Sequence, residues 1–574
     1  MTDGQRRGAA SESARGFLHR ALPIAAIVLL GVIAYKDALH GAFVFDDVRQ
    51  IHDNPLIRDL GNYLARSDGY ATTPNRYVAY LTFALSYRFG RLDPTGWHGV
   101  NVGIHLLNAL LVYALVVLSF RTPRLERSSL AGASAAIAFV ASALFVAHPI
   151  QTQAVTYLVQ RLTSLATCFY LATLVLYVAW RLGREPGRWG RGRRVATYAA
   201  ALVTAVAAMK TKEIAFTLPF LIALYELCFF TGTARERIRF LAPILATAVI
   251  IPLTVLNLHQ PIGRVLSDVS DATRVQATVS RLDYLRTEIA VVATYLRLLV
   301  LPVGQNIDHD VAIERSLLAP RVAGSLLLLL SLVALAVFLA RRTRAGGAGR
   351  ALDPAARLVA FGIGWFFATL LVESSVIPIL DVMYEHRVYL PSAGLFVALA
   401  TASGFAWRRI APASAARLTV LTGTLLALVL AAATVLRNDV WADDVSLWTD
   451  AAAKAPGKAR PHINLGTALA AAGDLGGGER ELRRAVSLDA GSAWAHSQLA
   501  AVLLAQGRLA DAEPELREAI RLSPDDPEAI FNLAMMLSRT GRAAEANAWF
   551  ARFLEVAPPS YAAARRIAMA RVGR

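Results

Sequence analysis

Arg417-Leu-Thr-Val-Leu-Thr-Gly-Thr-Leu-Leu-Ala-Leu-Val-Leu-Ala-Ala-Ala-Thr-Val-Leu436 carries a charge only on its first residue. Twenty such residues make a helix long enough to cross a hydrocarbon core. The composition changes immediately after it. Residues 1–436 return to this apolar pattern again and again, whereas 437–574 contain no comparable stretch and are rich in Ala, Leu, Arg and Glu at helical spacing. The segment therefore closes a membrane-spanning helix bundle and opens a water-soluble helical region.

Composition agrees with that division. Of the 574 residues, 55% are hydrophobic and 18% charged, against about 25% charged in soluble proteins. A string of soluble domains and a disordered chain are both excluded. Cys168 and Cys228 lie in separate apolar runs and form no disulfide framework.

Upstream of 417–436, further spans read at 21–36, 99–119, 130–147, 163–180, 195–209, 214–230, 240–257, 321–340, 358–376 and 389–406, eleven in all. The first has no small-residue cleavage site behind it and reads as an uncleaved anchor after a tail at 1–20. Residues 284–301 are apolar enough for a twelfth, but Arg286, Glu288 and Arg297 make a full crossing costly. They read as an interfacial or re-entrant helix.

The formal net charge of +17 suggests nucleic acid until its distribution is examined. Arginines crowd the tail (Arg6, Arg7, Arg15, Arg20) and alternate loops, at Arg121–Arg127, Arg181–Arg194, Arg235–Arg239, Arg341–Arg357 and Arg408–Arg417. The intervening short loops, 148–162, 210–213 and 377–388, hold only Arg161, Lys210, Lys212 and Arg387. This is the positive-inside signal. It places the amino terminus in the cytoplasm and, with eleven spans, the carboxy-terminal region outside it. The basic residues mark topology, and nucleic acid is not a partner.

Downstream of 436 the chain repeats with a period of 34: Leu465, Leu499 and Leu533; Gly466, Ala500 and Ala534; Gly473, Gly507 and Gly541; Gly478, Ala512 and Ala546. Small residues where paired helices cross, at this period, are the tetratricopeptide signature. Units fall near 457–490, 491–524 and 525–558, a solenoid suited to binding polypeptide segments; the plainer reading is a stabilising or oligomerising appendage.

Polar residues that a bilayer would reject gather at one face of the spans. Asp46 and Asp47 follow Phe43-Val44-Phe45; each carboxylate raises the proton affinity of the other, so one can act as a general base, or the pair can simply begin a solvated loop. His98, Asn101, His105 and Asn108 share one helical stripe that lines either a cavity or a helix–helix contact. His148, Glu213, Asp308, His309, Glu385 and His386 lie in the sparsely charged loops as candidate substrate contacts. Arg161, Lys212 and Arg387 are sparse cations there, as a lipid phosphate or pyrophosphate would require; pairing with acids explains each singly. No P-loop or GxGxxG is present, and Asp308-His309-Asp310 is weak as a metal motif. A transporter is disfavoured because no polar path crosses the bilayer.

The ordered blocks Phe-Val-Phe-Asp-Asp (43–47), His-Pro-Ile-Gln-Thr-Gln-Ala-Val (148–155), Lys-Glu-Ile-Ala-Phe-Thr-Leu-Pro (212–219), Asn-Ile-Asp-His-Asp (306–310) and Glu-His-Arg-Val-Tyr-Leu-Pro-Ser (385–392) resemble the transmembrane and tetratricopeptide-repeat-containing O-mannosyltransferases and their bacterial relatives. The resemblance runs from Asp46 into the repeats. It implies a GT-C glycosyltransferase fold, a polyprenyl-phosphate sugar donor and a Ser or Thr acceptor on an exported protein, here with the active site and repeats on the periplasmic side of a bacterial inner membrane. It makes the acidic pair the catalytic motif, and Glu213, Glu385, His386 and Arg387 match its further blocks.

The expected reaction is a single inverting displacement. Asp46 or Asp47 takes the hydroxyl proton, and Arg387, Lys212 or Arg161 stabilises the departing lipid phosphate. No metal and no cofactor is expected. The alternatives are a lipid-linked sugar transferase acting on an envelope glycan or lipid, and a non-catalytic membrane scaffold displaying the repeats.

Overall fold

The computed structural model describes residues 21–255, 279–343, 352–375, 378–379 and 381–572. The arginine-bearing tail at 1–20 and the ends of the 240–257 and 358–376 segments lie outside the described residues. Among the described residues all regular structure is helical. The chain divides into two compact units, Met1–Gln305 with Val311–Ala442, and Asn306–Asp310 with Asp443–Arg574.

In the first unit a helix occupies each of the eleven apolar segments. These are Ala21–Ala34, Pro94–Ser119, Ser134–Ala147, Arg161–Leu182, Arg191–Met209, Leu218–Phe229, Ala234–Thr254, Pro320–Arg342, Ala356–Leu370, Tyr389–Ile410 and Ala415–Asp439. Among the described residues six helices are long and apolar enough to cross a membrane, and Ala131–Ala147 with Pro149–Val155, bent by 53°, would make a seventh. The others are shorter; Leu218–Phe229 has 12 residues. The sequence reading misses helix Tyr77–Gly90 in the first long loop, whose 14 residues are too few to read as a span.

The loops sort into two sets. In the arginine-rich set, Arg124 donates to Leu227 O and Arg357 to Thr343 O, Ser129 N–H donates to the Asp353 carboxylate, and Arg181 pairs with buried Glu226 at 2.8 Å. In the other set, His148 Nε2 meets Leu299 O, Val78 N–H donates to Lys210 O, and Gln305 donates to Glu385. Helix Arg281–Val300 touches this second set along its whole length, through Tyr284 with Glu373 O, Thr287 with Glu314 N, Tyr295 with Tyr384 O and Leu299 with His148. It runs along that end of the bundle instead of passing through it.

Apolar helices surrounded by lipid gain little from burying more apolar surface, so close approach of backbones holds them together. Gly362 and Gly394 supply that approach between Ala356–Leu370 and Tyr389–Ile410. A Cβ on Gly362 would lie 2.3 Å from Gly394 O, and one on Gly394 would lie 2.7 Å from Gly362 O. Gly362→Leu is expected to lower stability by at least about 1–3 kcal/mol through overpacking, read as a lower thermal midpoint of the detergent-purified protein.

The second unit is built from helix pairs Ala459–Ala471 and Leu475–Leu488, Ala493–Ala505 and Leu509–Leu522, and Pro527–Arg539 and Ala543–Val556. Gly473, Gly507 and Gly541 turn each pair at φ +95°, +78° and +80°, where only glycine is unstrained, which is why glycine recurs every 34 residues. Leu499, Leu533, Ala500, Ala534, Ala512 and Ala546 fill the interior. Charges repeat with the fold. Arg508 meets Glu479 at 2.8 Å and Arg542 meets Glu513 at 2.8 Å, each tying one unit to the next. Hydrogen bonds from Arg483 and Arg508 hold the Glu479 carboxyl down at about 2. A carboxylate with a depressed folded value stabilises above its unfolded value and loses that contribution as pH falls through the folded one. The thermal midpoint of this unit is therefore expected to drop between about pH 4.5 and 2, and to drop less in Glu479→Gln, as followed by circular dichroism.

Candidate functional site

The site is assembled from the loops that lack the arginine clusters. After the first helix the chain reaches Phe45 at φ +51°, a left-handed conformation that is strained for an aromatic residue. Hydrogen bonds from Asp47 N–H to Val44 O (3.0 Å) and from Val48 N–H to Phe45 O (3.2 Å) close the turn. The turn sends the two acidic side chains into different surroundings.

Asp47 is fully buried, and its carboxylate accepts from the N–H groups of Val159 (2.7 Å), Val44 (3.3 Å) and Leu158 (3.4 Å). Burial pushes its carboxyl well above the usual range, and these three donors oppose the shift. Asp46 is half-buried and shares a two-way contact with Tyr157: the hydroxyl donates to Asp46 Oδ2 at 2.9 Å and accepts from Asp46 N–H at 3.2 Å. The Tyr157 ring is stacked on Phe45 and Trp441 at 6.3 and 5.5 Å.

A second group of charges lies beyond Tyr157 and Tyr80. Lys212 Nζ sits 2.8 Å from Oε1 of Glu373, just past the end of helix Ala356–Leu370, and donates to Thr163 Oγ1 at 2.9 Å. Arg76 reaches both Glu213 oxygens at 3.4 and 3.5 Å. Arg387 donates to Val382 O and Asp381 O at 2.8 and 2.6 Å and stands 4.0 Å from Glu288. Burial would raise Glu373, but Lys212, Arg387 and Arg76 together hold it below the usual carboxylate range. Three cations thus converge on one acid. Tyr80 lies within electrostatic reach of Asp46 and Arg76, and Tyr157 within reach of Asp46 and Tyr384. The Tyr384 ring stacks on His386 at 5.2 Å. His386 N–H donates to Gln153 Oε1 at 2.7 Å, while His386 Nδ1 and Gln153 Nε2 are buried with no hydrogen-bond partner among the described residues. Buried polar groups of this kind are uncommon unless a ligand or water meets them.

An apolar groove of about 580 Å³ is lined by Phe216, Phe220, Leu221, Leu224, Leu371 and Val372 together with Glu213, the partner of Arg76. Its walls are the residues that directly follow Lys212-Glu213 and precede Glu373 in the chain.

Several candidate residues prove to be packing elements. Arg161 is fully buried. Its guanidinium donates to Asn101 Oδ1 (2.7 Å), Ser86 Oγ (2.8 Å), Trp97 O (3.2 Å) and Thr82 O (3.3 Å), and lies over the Phe83 and Trp97 rings, so its donors are spent inside the bundle. His105 bonds to Tyr389 OH at 2.7 Å and Val146 O at 3.1 Å, and His98 to Gly41 O at 3.1 Å. Asn101 and Asn108 donate to main-chain carbonyls of Val155 and Ser164. That stripe joins helices. His148 accepts from Ile150 N–H and donates to Leu299 O, fixing the corner at 148–151. Asp308 belongs to the second unit, where Lys458 and Arg460 grip its carboxylate; Lys458 also donates to His309 O at 3.1 Å. Asp308 and His309 are therefore members of the repeat unit. Glu385 is buried and accepts from Gln305 at 2.9 Å. Among the described residues no three His, Cys, Asp or Glu converge to hold a metal.

Tyr157, Arg76, Gln153, Tyr384 and Glu373 are not singled out by the sequence reading. Glu373 carries a signal, since an acid at the end of an apolar segment is a site candidate in its own right. Arg76, in a long loop, carries none.

Comparison with known proteins supplies relatives for parts of this chain. A protein O-mannosyl-transferase of Caenorhabditis elegans is 31% identical over 169 residues, 26% of this chain and 22% of that protein. Protein O-mannosyl-transferases Tmtc1 and Tmtc2 of Drosophila melanogaster are 32% and 31% identical over 200 and 211 residues, covering 33% and 34% of this chain and 21% of each relative. The curated relatives of this chain are protein O-mannosyl-transferases. It spans about a fifth of their length in these alignments. The tetratricopeptide repeat family model matches residues 503–568, which include the last of the helix pairs described above. Among solved structures, the Cut9–Hcn1 hetero-tetramer of APC/C aligns over 92% of this chain and 96% of that chain at 15% identity, with a TM-score of only 0.22.

Proposed function

We propose that this chain is a membrane glycosyltransferase that moves a hexose, mannose by analogy with the names of its relatives, from a polyprenyl-phosphate carrier to Ser or Thr hydroxyls of exported proteins. The observations that support this reading are a half-buried carboxylate, Asp46, a cation group around Glu373 and Glu213, and an apolar groove that Glu213 helps to line. A lipid phosphate has both halves of that chemistry: an anionic head for Lys212, Arg387 and Arg76, and a hydrocarbon tail for the groove.

In the reaction Asp46 accepts the acceptor hydroxyl proton as the oxygen attacks the anomeric carbon. The bond from that carbon to the phosphate oxygen breaks, and both electrons leave with the lipid phosphate. One in-line displacement inverts the anomeric centre. Lys212, Arg387 and Arg76 stabilise the charge that grows on the leaving phosphate. Their present partners, Glu373 and Glu213, hold the cations in place before the phosphate arrives. His386 Nδ1 and Gln153 Nε2 offer one acceptor and one donor to sugar hydroxyls. The leaving group meets cations already in place, so the step is written without a metal or cofactor.

Eleven crossings would put the acidic turn, the cation group and the repeats on the periplasmic side of an inner membrane. There the repeats would hold the acceptor polypeptide. The test is transfer from radiolabelled polyprenyl-phosphate mannose by membranes containing the protein, with glycopeptide mapping of exported proteins. Hexosyl-Ser or hexosyl-Thr is expected. Label that enters only a glycan or a lipid overturns the assignment of the acceptor.

A further inference from the structure

We propose that Glu288, on helix Arg281–Val300, is a positioning residue for donor binding: it takes up one proton from solvent when the donor phosphate enters beside Arg387, and so keeps the cation group in charge balance. The inference rests on the phosphate reading of that group. Glu288 is 1% exposed, and its Oε1 stands 4.0 Å from Arg387 Nη1. The same guanidinium spends its hydrogen bonds on the main-chain oxygens of Val382 and Asp381.

Each cation of the group already faces an acid: Lys212 with Glu373 at 2.8 Å, Arg76 with Glu213 at 3.4 Å, and Arg387 with Glu288 at 4.0 Å. A phosphate entering among matched charges brings one negative charge more. Away from bulk water that excess is costly unless a proton arrives with it. Glu288 is the acid least able to stay charged. Neither of its oxygens has a hydrogen-bond partner among the described residues, and Ser374 Oγ, next in the chain to Glu373, is buried without one as well. A buried carboxylate that lacks donors favours its protonated form, which has an O–H to offer the Ser374 or Tyr284 hydroxyl beside it.

The groups that face Glu288 are Arg387, Glu373, Ser374, Tyr284 and Tyr295. Burial pushes its carboxyl up to about 7, and Arg387 opposes only part of that shift. Burial and the cations Lys212, Arg387 and Arg76 push His386 well below its usual range, so the proton goes to the carboxylate. An arriving phosphate is a like charge and pushes Glu288 further up. Between the free and bound values the complex holds one proton more than its parts. Donor binding therefore weakens as pH rises above about 7.

The test is calorimetric titration of the full-length, detergent-purified protein with farnesyl-phosphate mannose, a phosphodiester whose own charge does not titrate near neutrality. Buffers of different ionisation enthalpy report the protons taken up. Wild type is expected to take up close to one proton at about pH 7.5–8, and its Kd to rise by up to about tenfold per pH unit there. In Glu288→Gln the uptake is expected to vanish and Kd to become flat with pH, while Glu288→Asp, which keeps a carboxylate, retains both. The infrared difference spectrum of wild type on donor binding supplies a readout that needs no variant: a carboxylic acid C=O band is expected to appear. Donor binding without proton uptake, or uptake undiminished in Glu288→Gln, overturns the role of Glu288 and leaves the phosphate reading standing. Wild type that does not bind the donor at all overturns the phosphate reading, and the role of Glu288 with it.

Discussion

Asp46→Asn protein is expected to reach the membrane folded and to transfer sugar about 10²–10⁴-fold more slowly than wild type, the range a positioned general base contributes. The two acids of the turn are neighbours in sequence but have different partners. Asp46 is half-buried and meets the Tyr157 hydroxyl at 2.9 Å, a contact that an amide oxygen can keep. Loss of the basic oxygen should therefore cost turnover and leave the fold unchanged. Asp47 is fully buried under three main-chain donors. Asp47→Asn keeps one acceptor oxygen and turns an NH2 group toward N–H donors. A buried donor left unmet costs about 1–3 kcal/mol. That variant should show a lowered thermal midpoint together with its loss of activity, because the strained Phe45 turn is held by Asp47. Single-turnover transfer and thermal unfolding of both variants separate the roles. Full activity in Asp46→Asn would remove it as the base.

Arg161→Leu is expected to destabilise the protein by more than about 3 kcal/mol and to reduce the folded yield sharply. The change strips partners from Asn101, Ser86 and the carbonyls of Thr82 and Trp97, and removes the cation from two aromatic faces. Lys212→Gln, by contrast, removes a cation whose contacts are one acid and one hydroxyl, and should act on transfer. A detergent-purified Arg161→Leu protein with a wild-type midpoint and weakened donor binding would return Arg161 to the phosphate site.

Arg161, Lys212 and Arg387 are alike in the sequence: sparse cations in short loops poor in them. Their fates differ because of what folds against them. Arg161 meets Asn101, 60 residues away, and is used up in packing. Lys212 and Arg387 meet acids, Glu373 and Glu288, that no sequence spacing joins to them. The stripe His98, Asn101, His105 and Asn108 does share a face, as its spacing requires. Only the main-chain carbonyls of neighbouring segments show that the face joins helices.

The sequence by itself determined the helical character of both regions, the place where the apolar pattern stops and the 34-residue period. Each follows from local spacing: twenty apolar residues make a helix of membrane length, and a turn that needs φ near +80° selects glycine wherever it recurs. The tertiary structure decided which polar groups join helices, as Arg161 and His105 do, and which pair with acids, as Lys212 and Arg387 do. A buried polar atom is committed by the partner that satisfies it, and in this bundle those partners come from helices as far as 404 residues away, as for Asn438 and Ala34.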